Sequence, residues 1–336
     1  MVEGGMVLPE NTQPISKLIR TVLFLRLTTA HQNGSGNIVF WPVSLKSVIL
    51  YIIWVMVPLG VQIPNFIKMI TSNPSFTYQF TFVALLLGMN GLYLILPIVL
   101  GYFLSNTPGL LMVQIKPPRR IVGVLLIGLI LFINVILTSV KYWSKVDVLI
   151  FHIIYFCLIL IVNVLSVLVV NTVTDNYITT VDSAELILSA EKSLSMFRAL
   201  KKGLSPYIFI LYSIETLFLI MESFQASNEL TQDSKSRTDV NMFVYILFSI
   251  KAVLMLFNTS SVADDCYDKL NEKNDALRST LVTGNKNESA SVTSVLSKIE
   301  AEERFDGNGY FFAGRQALLS ILGTVLTYLI ILYQFN

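Results

Sequence analysis

The chain has 336 residues, of which 54% are apolar and 14% charged, with a net charge of +2. Soluble domains carry about 25% charged residues, so this deficit, with a mean hydropathy of +0.65, excludes an ordinary soluble protein. The small net charge and the lack of a basic–aromatic stripe exclude nucleic acid as a partner.

Taken in chain order, residues 1–40 form an N-terminal segment. Its apolar stretch at 15–27 is interrupted by Lys17, Arg20 and Arg26, which predicts an amphipathic helix on the inner membrane face rather than a cleaved leader. A bilayer core of about 30 Å needs about 20 helical residues. Seven stretches meet that length: 41–61, 80–104, 121–140, 148–170, 206–224, 242–262 and 317–335. Backbone cannot stay unpaired in lipid, so each is predicted to be a helix, and the fold class is an all-α polytopic membrane protein. Pro58 and Pro97 are expected to kink the first two helices. Cys157 lies in an apolar run and Cys266 in an acidic stretch, so no disulfide is expected.

Basic residues set the orientation. One side carries Lys17, Arg20, Arg26, Lys46, Lys116, Arg119, Arg120, Lys192, Arg198, Lys201 and Lys202; the other carries Lys68, Lys141, Lys145, Lys235 and Arg237. The positive-inside rule then predicts an inner N-terminus and an outer C-terminus. Asn33, Asn258 and Asn287 head acceptor sequons. In this topology the first and last face the cytosol and Asn258 lies at the membrane, so none is expected to carry sugar.

Residues 41–262 hold six spans and 263–316 a cytosolic linker. Residues 171–204 read as a helical extension of the fourth span. In the linker, an acidic helix gives way to loop formers around Gly284 and Asn285, and a helix resumes over 292–305. Val292, Val295, Leu296 and Ile299 form one apolar stripe there, which packs either within a subunit or between subunits. Asn134, Asp147, His152, Tyr155, Glu215, Glu222 and Tyr245 lie in the predicted outer halves of the spans. Such a mixed polar and aromatic set suits a small organic ligand. Ionisable groups in a membrane are costly and point to function, but Glu215 and Lys251 equally suit a mutual ion pair.

Residues 317–336 close the chain with Thr327-Tyr328, five apolar residues, then Gln334-Phe335. Upstream stand Phe305-Asp306-Gly307-Asn308-Gly309-Tyr310-Phe311, Arg315, Leu318-Leu319 and Gly323-Thr324. This pattern resembles the C-terminal signature of invertebrate gustatory receptors, within the insect chemoreceptor superfamily of seven-transmembrane ligand-gated channels. Gly309, Arg315, Thr327, Tyr328, Gln334 and Phe335 carry the match. The resemblance implies a plasma-membrane chemoreceptor of taste perception, opened by a small organic tastant, with no cofactor. It implies a homotetramer, or a heteromer with related subunits, whose last helix lines a cation pore with Ile331, Gln334 and Phe335. Thr327 would face the same lumen by helical spacing. A ring of Ile331 or Phe335 would exclude water when narrow, and no Asp or Glu lies in 317–335 to select divalent ions.

Rival readings are weaker. Asp264, Asp265 and Asp268 match a metal–diphosphate motif of membrane prenyltransferases, but no second motif faces it, and an acidic helix at the water boundary is the simpler reading. Those acids, with Glu300, Glu302 and Glu303, would concentrate cations near an inner exit. Only His31 and His152 exist, which excludes a histidine zinc site, and no hydrolase or phosphate-loop motif appears. A G-protein-coupled-type receptor would need Asp-Arg-Tyr after the third span and Asn-Pro-x-x-Tyr at the seventh. A transporter would show repeated halves. The expectation is therefore a channel, not an enzyme.

Overall fold

The computed structural model describes residues 30–32, 38–40, 49, 92, 95–107, 110, 121–141, 146–182, 186–231, 239–283 and 289–334. The amphipathic stretch at 15–27, the first span and most of the second, Pro58, Asn33, Asn287 and Phe335 lie outside them.

Among the described residues the architecture is a helical bundle with α1 (Ile95–Asn106), α2 (Ile121–Lys141), α3 (Val146–Asp182), α4 (Leu186–Thr231), α5 (Asp239–Thr283), α6 (Ser289–Glu300) and α7 (Arg315–Gln334). One departure from an all-α chain is a short antiparallel pair, β1 (Ala30–Gln32) with β2 (Ile38–Phe40), which places Ala30 opposite Phe40. The Asn-Gly-Ser-Gly turn formers between the strands and the β-branched Ile38-Val39 favour such pairing over helix.

α3, α4 and α5 run for 37, 46 and 45 residues, or about 55, 69 and 68 Å at the helical rise. Each exceeds a bilayer core, so each extends beyond it. Residues 171–204 are not one extension of the fourth span: 171–182 end α3, and 186–204 open α4, which runs on into the fifth span. Pro206 sits inside α4, where it removes one backbone donor. Tight packing on either side carries the helix through: Tyr207 lies 6.5 Å from Phe103 between ring centroids, and Gly203 lies against the backbone of Phe103. A Cβ on Gly203 would meet the Phe103 Cα at 3.1 Å and its carbonyl oxygen at 3.2 Å. Gly203→Leu forces α1 away from α4 and is expected to cost about 1–3 kcal/mol, the scale of overpacking. A melting temperature in detergent unchanged from wild type would refute that.

α5 is the central element, touching α2, α3, α4, α6 and α7. It is tied to α3 by a reciprocal amide pair, in which Asn171 donates to Asn258 at 3.3 Å and Asn258 donates back at 3.2 Å, both buried. The Asn258 sequon is thereby locked inside the bundle. A second cluster gathers Tyr177, Tyr267 and Phe305 around Phe197, which meets the Phe305 ring edge-on at 4.9 Å.

Three stretches, Asn163–Val181, Ala190–Ala226 and Met242–Thr280, are long and apolar enough to cross a membrane. Burial shows where lipid lies. α2 exposes Val122, Leu125, Leu129, Phe132 and Ile136 along one face, and α5 exposes Phe243, Ile246, Ile250 and Phe257. Water does not tolerate such continuous apolar faces, so this is a membrane protein.

Candidate functional site

The entrance to α7 is a hairpin. Asn308 and Gly309 both have left-handed φ, 55° and 81°, and the Tyr310 N–H donates to the Gly307 carbonyl at 3.1 Å. Consecutive left-handed residues are the requirement of a type I′ turn, for which Asn-Gly is the preferred pair. Gly307 is required for another reason, since the Phe311 ring fills the space its Cβ would take. The arms are joined by Gly307 to Phe311 and Ala313 to Phe305 backbone bonds, each 2.7 Å. Tyr310 stacks on Phe209 and Phe311 on Tyr212, both at 5.2 Å, and the Tyr212 hydroxyl bonds Ser260 on α5 at 2.5 Å. The hairpin thus sits on α4 and reaches α5.

Asp264 of α5 accepts the Arg315 backbone N–H at 2.9 Å. It therefore caps α7 from another helix, satisfying one orphan donor of the first turn. The Arg315 side chain lies 3.9 Å from Asp264 and 3.7 Å from Asp265. These carboxylates are engaged, not free to chelate a metal diphosphate, and no described group of His, Cys, Asp and Glu is arranged to hold a metal. Partial desolvation and the charges of Asp264 and Asp265 raise the Asp268 carboxyl above its usual range, opposed by Arg304 and Arg315.

Two of the remaining acids are paired: Arg278 holds Glu300 at 2.6 Å, and Arg198 holds Glu302 at 2.7 Å. They brace α6 and its C-terminal turn against α5 and α4, while Glu303 is exposed and offers Lys201 its backbone carbonyl. The α6 stripe is resolved as well: Val292, Val295 and Ile299 are buried within this one chain. Within the chain α6 packs on α5 and α4.

α7 packs by one stripe only. Leu318 and Val325 are buried, with Ile321, Leu322 and Leu329 packed beside them. At about 100° per residue, the opposite face holds Ser320, Thr324, Thr327, Ile331 and Gln334. The first four are exposed, and Gln334 ends the helix with its side chain outside the described ones. Thr324 and Thr327 donate to their own helix, to Ser320 and Gly323 carbonyls at 2.9 Å. They make no helix–helix bond in this chain. Tyr328 and Ile330 lie on the flanks, exposed.

Of the predicted ligand residues, Glu215 and Glu222 share a face of α4. Glu215 binds Lys251 of α5 with both oxygens at 2.7 Å, and both groups are wholly buried. The Lys251 ammonium also lies 4.5 Å from the Phe218 ring centre. This pair is a bundle tie, the simpler of its two sequence readings. Glu222 is buried, and its Oε2 has no hydrogen-bond partner. Asn134 on α2 is buried with both amide atoms unpartnered. Tyr245 is half-buried on α5. Asp147, His152 and Tyr155 belong to the first turns of α3, where the side chains are outside the described ones. Sequence reasoning missed the Asn171–Asn258 pair and the cap on α7. Two Asn residues in apolar runs and the Asp264–Arg315 charge pair were the available signals.

No protein-family model matches the chain, and no curated protein matches it in sequence. Among solved structures it is similar to the insect olfactory receptor OR5 from Machilis hrabei. The TM-score is 0.61 over 95% of this chain and 97% of that one, at 11% sequence identity. So low an identity speaks for the backbone arrangement and not for ligand or ion. The chain therefore carries the fold of an insect olfactory receptor.

Proposed function

We propose that this protein is a gustatory-receptor-like chemoreceptor, a subunit of a ligand-gated nonselective cation channel in the plasma membrane. The observation that carries the reading is the face of α7 diametrically opposite its packed stripe. It carries Ser320, Thr324, Thr327 and Ile331, all exposed in a single chain, and ends at Gln334. A polar amide at the end of such a stripe is better placed against water than against lipid. Around an axis shared by four copies, the same face lines water. Ile331 then forms an apolar constriction and Gln334 a neutral polar ring, with Phe335 beyond it. The fold and the terminal Thr327-Tyr328 to Gln334-Phe335 pattern support the same assignment. The N-terminus is inside and the C-terminus outside, and a small organic tastant binds among the helices before α7.

Patch-clamp recording of cells expressing this chain alone, with sugars, bitter compounds and amino acids as stimuli, tests the proposal. Wild type is expected to give ligand-evoked cation currents. Gln334→Ala is expected to change relative permeability at least several-fold while surface expression holds. Currents with identical permeability in Gln334→Ala would remove Gln334 from the pore. An epitope after Asn336 that intact cells hide from antibody would reverse the orientation.

A further inference from the structure

The buried interior between α4 and α5 holds two carboxylates, Glu215 and Glu222, and one ammonium, Lys251. Both oxygens of Glu215 bind Lys251 at 2.7 Å, and the Phe218 ring lies over it. Glu222, 5% exposed, has no hydrogen bond to its Oε2 among the described residues, and Lys251 acts on it only through its field. One ammonium therefore stands against two carboxylates in this interior, and an unbonded buried carboxylate oxygen is costly. Phe218 meets Phe248 at 5.8 Å, one turn from the Glu215–Lys251 contact. The antiparallel register then sets Glu222 level with about residue 244 of α5, beside the half-buried Tyr245.

We propose that Glu222 is the anionic anchor of a binding site for a protonated organic amine. A hard metal ion is a poor occupant, because calcium needs six to eight oxygens and one carboxylate oxygen is on offer. An ammonium brings one positive charge to match one carboxylate and gains from aromatic neighbours, its remaining N–H donors needing further acceptors from the site. A second copy of the chain cannot reach a group buried within this one. This inference rests on the ligand-binding half of the channel reading and narrows it to cationic ligands.

The test separates binding from conduction. Full-length protein purified in detergent is melted with 2-phenylethylamine, and with its uncharged isostere 2-phenylethanol. The amine is expected to raise the melting temperature and the alcohol to leave it nearly unchanged. Glu222→Gln, which keeps the shape, is expected to weaken the amine by more than about tenfold, equivalent to about 1.4 kcal/mol. Glu222→Asp is expected to retain the preference for amine over alcohol. An equal shift from the alcohol, no shift from the amine, or an amine shift that survives in Glu222→Gln overturns the site; in the last two cases a proton is the natural occupant of Glu222. None of these outcomes depends on current, so a chain that binds the amine yet never conducts by itself refutes the homomeric channel and keeps the site.

Discussion

Lys251→Met is expected to yield little folded protein, and adding Glu215→Leu to restore it. The single change leaves the Glu215 carboxylate with no counter-charge at a position of zero exposure. Removing one partner of a buried pair costs about 3–5 kcal/mol, and whole domains are stable by only about 5–15. Lipid worsens the balance, since it offers the stranded charge no water. The Phe218 ring also loses the cation it covers. In the double variant the desolvation cost of both charges disappears, and two apolar side chains of similar volume fill the space. Replacing such pairs outright is often neutral or favourable. The reading is the monodisperse fraction and melting temperature of each protein in detergent. A single variant as stable as wild type would show that the pair holds nothing. A double variant no better than the single would show that packing, not charge, sets the cost.

How much of this could be read beforehand depended on the range of the interaction. α2 starts at Ile121, where the third span was placed, because hydropathy alone defines an apolar helix in lipid. α7 likewise lies within a few residues of its predicted span. Helix ends beyond the bilayer were harder. The helix around Pro206 is held by contacts with α1, about a hundred residues earlier in the chain. The α6 stripe announced that it needed a partner but not which one, since amphipathicity carries no address. Among the site residues, Glu215 and Lys251 were legible as a pair from composition: two opposite charges in adjacent apolar spans have nowhere else to go. The isolation of Glu222 was not legible, because it depends on Lys251 having both its strong bonds directed elsewhere.

Asp264→Ala is expected to loosen α7 and, on the proposed channel reading, to alter how readily the pore opens while leaving permeability alone. Asp264 supplies the acceptor for the first backbone N–H of α7 and is one of two carboxylates beside the Arg315 side chain. Loss of a helix cap costs about 0.5–2 kcal/mol. The accompanying ion pair is half-exposed on the Arg315 side, so screening leaves it little further weight. A change of 1.4 kcal/mol in the closed–open balance is about tenfold in the equilibrium, a clear shift in ligand dose–response. Gly314 gives an independent approach to the same joint. A Cβ there would sit 2.5 Å from the Asp264 carboxylate oxygen, so Gly314→Val displaces the cap without removing any charge. The two variants are therefore expected to shift the dose–response in the same direction, and Asp264→Asn, which keeps an acceptor oxygen, to lie between wild type and Asp264→Ala. Because α5 also carries Lys251 and α4 also carries the Phe209 and Tyr212 rings against the hairpin, the helices that hold the buried charges are the ones that seat α7. Opposite shifts in the two variants, or altered permeability in either, would place Asp264 in the ion path instead of at the joint.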